Sequence, residues 1–129
     1  MELLGKWKIA SMLSVDGKGF RRMTAEEIAE AEETPKNIEH KRIISADFIL
    51  SENSLDVFYT PREGEEGIAE QKGWKVTDQG LLIEHFPARI ENGVLLLDYT
   101  KKGLEYAPTW VDENGLLALS GGLMKLRKV

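Results

Sequence analysis

The side chains able to do chemistry in this chain are few, and they are scattered over short, strand-like segments. Tyr59, Trp74, Tyr99, Tyr106 and Trp110 each join a wide apolar ring to one polar atom. Lining a cavity, they would give a small molecule contact area and a fixed hydroxyl or indole donor. Away from a cavity the same residues pack the core or its rim. Arg42, Arg89 and His85 stand among apolar neighbours. An inward arginine could hold an anionic head group through two parallel hydrogen bonds. An outward one would be solvated or paired with a glutamate. His40, within Glu39-His40-Lys41-Arg42, reads as exposed. Two histidines without regular spacing, and no cysteine, form no metal-binding pattern. The acidic stretch Glu63-Gly64-Glu65-Glu66-Gly67 lacks the ligand spacing of a calcium loop and reads as a solvated turn. There is no Gly-x-Ser-x-Gly elbow, phosphate loop or dinucleotide fingerprint, so no cofactor is indicated. Glu84 and His85 are adjacent, but neighbours in a strand point to opposite faces and cannot act together.

The balance of the chain sets further bounds. Its 129 residues suit one domain, taken as 1–129, and its 42% hydrophobic content is enough for a core. A formal charge of -5 without a long basic run argues against nucleic acid, whose binding rests on phosphate neutralisation. No apolar run is long enough for a transmembrane helix, and the opening Met1-Glu2-Leu3-Leu4 is unlike a signal peptide. With no cysteine, the cytoplasm is the expected setting. Nothing in the sequence calls for a homo-oligomer or forbids one.

The elements that must position these residues are mostly strands. Turn clusters recur near Asn53, Glu65, Gln79, Asn92, Lys102, Asn114 and Gly121, at intervals typical of short strands. Asn92-Gly93 and Asn114-Gly115 are the sharpest hairpin signals. Strands are expected over residues 3–12, 38–50, 55–60, 68–77, 81–90, 94–100, 104–111, 116–120 and 123–129. Pro87 should mark a bend or an edge, and Phe58 breaks the alternation of its segment. One helix is expected after the first strand. Thr24-Ala25-Glu26-Glu27 forms a capping box, Met23 and Ile28 form a staple around it, and Pro35 stops the helix after about three turns. Its thin apolar face suits a cap lying across the domain, with loop 17–22 covering a mouth.

An antiparallel meander must dispose of its edges, and closure into a barrel removes them, although composition alone does not separate a barrel from a sandwich. Here the chain ends carry a resemblance. Gly5 and Trp7 in the first strand and Arg127 in the last resemble the lipocalin arrangement. In that family a Gly-x-Trp indole plugs the barrel and a cation from the final strand packs across it. Leu97-Asp98-Tyr99, followed by a turn at Lys101-Lys102-Gly103, is similar to the family's Thr-Asp-Tyr segment. The early helix looks more like the fatty-acid-binding proteins of the same calycin superfamily. The carboxylate-binding Arg-x-Tyr pair of those proteins is absent, since Lys128 and Val129 follow Arg127. The resemblance implies a small antiparallel up-and-down barrel that holds a small hydrophobic or amphipathic molecule. Two alternatives remain open. One is a calycin-type enzyme on a phenolic or lipid substrate, using Tyr59, Tyr99, Arg42, Arg89 or Glu70. The other is a solid-core module acting through its surface.

Overall fold

The computed structural model describes residues 2–16 and 19–129. β1 (Gly5–Asp16) pairs with β2 (Gly19–Thr24), and two helices follow, α1 (Ala25–Glu30) and α2 (Ile38–Ser45). Next come β3 (Asp47–Leu50), β4 (Ser54–Tyr59), α3 (Ile68–Lys72), β5 (Lys75–Thr77), β6 (Gly80–Glu91) and β7 (Val94–Leu97). β8 (Ala107–Pro108), β9 (Trp110–Val111), β10 (Leu117–Leu119) and β11 (Met124–Lys128) complete the chain. The sheet order is β8-β7-β6-β4-β3-β1-β11-β10-β9, with β2 attached to β1 and β5 to β6.

The two ends of that path are one piece of chain. β8 and β9 are the halves of segment 107–111, interrupted at Thr109. The first half pairs with β7 and the second with β10, both antiparallel. Thr109 is buried, and its amide and hydroxyl both donate to the Leu95 carbonyl, at 2.9 and 3.0 Å. The sheet therefore closes into an all-β barrel, as the sequence leads one to expect. Closure also joins the first long strand to the last, with Trp7 opposite Lys128, Ile9 opposite Leu126 and Met12 opposite Met124.

Trp7 is completely buried, and its indole N–H donates to the Leu3 carbonyl at 2.8 Å. The cation beside it is Lys128, whose ammonium lies 5.1 Å from the ring centroid. Arg127 does not fill the role given it from the sequence. It lies opposite Lys8 and is exposed, because side chains alternate along a strand and the inward positions here belong to Leu126 and Lys128. Gly5 has a structural reason of its own. Its φ is +123°, and a Cβ there would come within 2.9 Å of the Lys128 ammonium nitrogen.

Two irregularities seen in the sequence have local causes. Between Val57 and Phe58 the β4–β6 register slips by a residue. The bulge lets Val57, Phe58 and Tyr59 all be buried in succession. At Pro87, which has no N–H to give, β6 changes partner. Residues before it pair with β4 and those after it with β7, while the Ala88 amide turns to the Asn53 carbonyl at 2.9 Å.

Other expectations need correction. Residues 38–45 are helix, not strand. A strand there would send two of the four residues Glu39-His40-Lys41-Arg42 inward, whereas the helix leaves Glu39 and His40 exposed and turns Ile43 and Ile44 onto the core. Residues 68–72 are helical too, ended by Gly73 at φ 72° with its N–H donating to the Ala69 and Glu70 carbonyls. The capping box at Thr24 and Glu27 is present, but α1 stops at Glu30 rather than running to Pro35. α1 follows β2, not β1. Of the expected loop 17–22, Gly17 and Lys18 lie outside the described residues, and Gly19–Thr24 is a strand. The expected strand 104–111 starts only at Ala107. Upstream, buried Asp98 winds the chain into turns by accepting from the Thr100 amide at 2.8 Å, the Thr100 hydroxyl and the Leu104 amide at 3.0 Å. Burial opposes its charge, but these donors more than offset that, and its carboxyl titrates below the usual range.

Candidate functional site

Position along the β1–β11 pair separates the two ends of the barrel. Trp7 and Lys128 lie toward one end, and Met12 and Met124 lie toward the other. At the Met12 end is a cavity of about 350 Å³, lined by Met12, Glu39, His40, Arg42, Ile43, Trp74, Ile83, Glu84 and Met124. Deeper in the barrel is one of about 100 Å³, lined by Ile43, Phe48, Val57, Glu84, Phe86, Leu97, Tyr99, Leu119, Ser120 and Met124. The two share Ile43, Glu84 and Met124, so they adjoin along one wall. α2, rather than α1, supplies the cover over this mouth, through Glu39, His40, Arg42 and Ile43.

The expected site residues divide sharply. Trp74 and Arg42 line the mouth, and Tyr99 lines the inner cavity. The Tyr99 hydroxyl accepts from the Ser120 amide at 2.9 Å, and its ring meets Phe86 edge to face at 5.7 Å. That leaves the hydroxyl hydrogen able to donate to a guest.

Tyr59 sits behind the wall. It is fully buried, contacts Trp74 edge to face at 6.0 Å, and donates its hydroxyl to Glu65. Glu65 also accepts from the Arg62 amide at 2.8 Å and from Arg42 Nε at 3.0 Å. Arg42 Nη1 donates in turn to Glu39 at 2.7 Å, and Lys72 reaches the same Glu39 oxygen at 2.7 Å. Burial alone would raise the Glu65 carboxyl. The Tyr59 hydroxyl, the Arg62 amide and Arg42 outweigh it and hold the group at about 2. Burial, then the bond to Glu65, push the Tyr59 hydroxyl above its ordinary value. This network fixes α2 over the mouth and compensates the charge of Arg42 with two carboxylates.

The remaining candidates do not line either of these cavities. His85 points outward and bonds Asp56, since Glu84 takes the inward position of that strand. Arg89 stacks on Tyr106 at 4.3 Å and pairs with Glu91 at 3.1 Å on the outer surface. Trp110 is 47% exposed and borders a separate groove of about 260 Å³, with Leu3, Val94 and Val111. Another groove, about 380 Å³, runs between α1 and α2 outside the barrel, and it lacks the aromatic side chains of the mouth. Among the described residues no cluster of acids and histidines is arranged to hold a metal. No helix among them is long and apolar enough to cross a membrane.

Sequence reasoning missed Met12, Met124, Ile43, Ile83 and Glu84 as lining residues. The parity of β6 puts Glu84 opposite to His85, but which of the two faces inward is set by pairing register. Ile43 could not be found without knowing that 38–45 is helical. No protein-family model, curated protein or solved structure matches this chain.

Proposed function

We propose that the chain binds a small, largely apolar, amphipathic molecule in the mouth of its barrel, as a carrier or sensor of the calycin kind. The observation carrying this reading is the adjoining pair of cavities, walled by methionine, isoleucine and aromatic side chains with a few polar groups at fixed places. The mouth falls at the lower end of the size range of small-molecule sites. The inner space is too small for a retinoid or tetrapyrrole, which favours a short-chain or single-ring guest whose end reaches inward. Burying about 200 Å² of such a guest at about 25 cal/mol per Å² gives roughly 5 kcal/mol before the cost of association, so binding is no tighter than about 0.1–1 mM from this term. A cytoplasmic setting accompanies this reading, because a cysteine-free chain suits a reducing compartment.

The enzyme alternative has less support. Tyr59 and Arg42 meet through Glu65, but that hydroxyl is bound, buried and raised, the opposite of what acid–base chemistry near neutrality requires. Tyr99, Arg89 and Glu70 do not join them.

Methyl-labelled methionine gives a direct test. Of the four methionines, Met12 and Met124 line the mouth, while Met23 does not and serves as the reference. Titration with short alkyl and aromatic compounds to several millimolar should move the Met12 and Met124 methyl resonances and leave Met23 in place. Unmoved Met12 and Met124 resonances across the panel would sink the proposal and favour the solid-core module.

A further inference from the structure

Resting on that reading, we infer that the guest carries a primary ammonium group, which takes the place of Lys101 at Glu84. The charged groups of the mouth are unequal. Arg42 is held by both Glu65 and Glu39, so an anionic head would have to compete with two carboxylates already in place. Glu39 is shared between Arg42 and Lys72. Glu84 differs, because it borders both cavities and its salt-bridge partner comes from an exposed loop.

That partner is an ammonium belonging to the chain itself. Lys101 donates to the Glu84 carboxylate, and its nitrogen also lies 5.1 Å from the Phe86 ring centroid. Glu84 and Phe86 are two apart on β6, so they share a face, and both line the inner cavity. A carboxylate beside an aromatic ring is a receptor for a compact cation, and here a lysine side chain fills it. The Lys101 side chain is about half exposed at 46%, so it can swing into water when displaced. Its backbone stays fixed, at φ 63° with its N–H donating to the Asp98 carbonyl. An ammonium that displaces Lys101 from Glu84 replaces the contact it breaks, whereas an alcohol or a carboxylate in the same place leaves Glu84 without a cation. The guest's apolar part, entering among Ile43, Ile83 and Met124, then supplies the net affinity.

Octylamine, octanol and octanoate separate the outcomes, with the Met12 and Met124 methyl shifts as the readout at neutral pH. Octylamine should bind at least tenfold more tightly than octanol, with octanoate weakest. Glu84→Gln should abolish the preference for the amine while leaving octanol binding in place. Lys101→Met, which removes the competitor, should tighten octylamine severalfold. Equal binding of octylamine and octanol, or a preference that survives Glu84→Gln, would overturn the ammonium inference and leave the small-molecule reading standing. No binding by any of the three would overturn both.

Discussion

At the scale of single residues, the cation over Trp7 and the carboxylate network around Glu65 can each be tested by substitution. Lys128 covers the Trp7 ring and gives its ammonium to the backbone carbonyls of Glu2, at 3.1 Å, and of Leu4. Replacing it with alanine should cost about 1–2 kcal/mol by urea denaturation, since it removes the cation contact and the partners of those carbonyls. Arg127→Ala should stay within about 0.5 kcal/mol, as a solvated surface change does. The reverse ranking would return the closure role to Arg127. Glu65 gives a pH prediction. Its folded carboxyl, at about 2, lies below the ordinary 4.5, so its contribution is complete above about 4.5. That contribution falls away as pH drops from there through about 2, and it is on the order of 2–3 kcal/mol. The stability difference between the wild type and Glu65→Gln should therefore shrink across that window, measured by denaturation at stepped pH. A difference independent of pH would show that Glu65 is not held low.

At the scale of elements, local rules decide where the helices begin and end, and tertiary contacts decide that they persist. α1 has only six residues, too few to survive alone, and relies on its capping box and on buried Ile28. Thr24→Ala should cost about 1 kcal/mol, read as a shift in denaturation midpoint. α3 depends on Gly73 in the left-handed region. Gly73→Ala should cost about 1 kcal/mol there, although nothing lies near enough to clash with the new methyl. A neutral result would mean that α3 ends in another way in solution. The mouth is sensitive to α2, because this helix carries Arg42 and Ile43 to the cavity and is held by Glu65.

At the scale of the molecule, the barrel closes at two seams, β1 against β11 and segment 107–111 against β7 and β10. Leu126 is fully buried on the first seam, opposite Ile9. Leu126→Ala should cost about 2–5 kcal/mol, the transfer free energy of the lost side chain plus the cavity it leaves. Because the seam links the ends of the chain, its loss should lower the stability of the whole barrel as one cooperative unit. Hydrogen exchange should then speed in β4 and β6 as well as in β1. Faster exchange confined to β11 would show that the seam frays independently.

The sequence by itself determined that this is a strand-rich chain with turns at Asn92-Gly93 and Asn114-Gly115, a capped helix at Thr24 and an irregularity at Pro87. Each of those follows from neighbours in the chain: a glycine's free φ, a proline's missing donor, an alternation of faces. Tertiary structure alone decided that residues 38–45 coil over the mouth, because a run of four polar residues followed by two isoleucines finds its place only against a core already built by other strands. It also chose Lys128 over Arg127, and Glu84 over His85. Both choices depend on strand parity, which is fixed by pairing register and bulges between distant segments and moves every side chain to the other face when it slips by one residue.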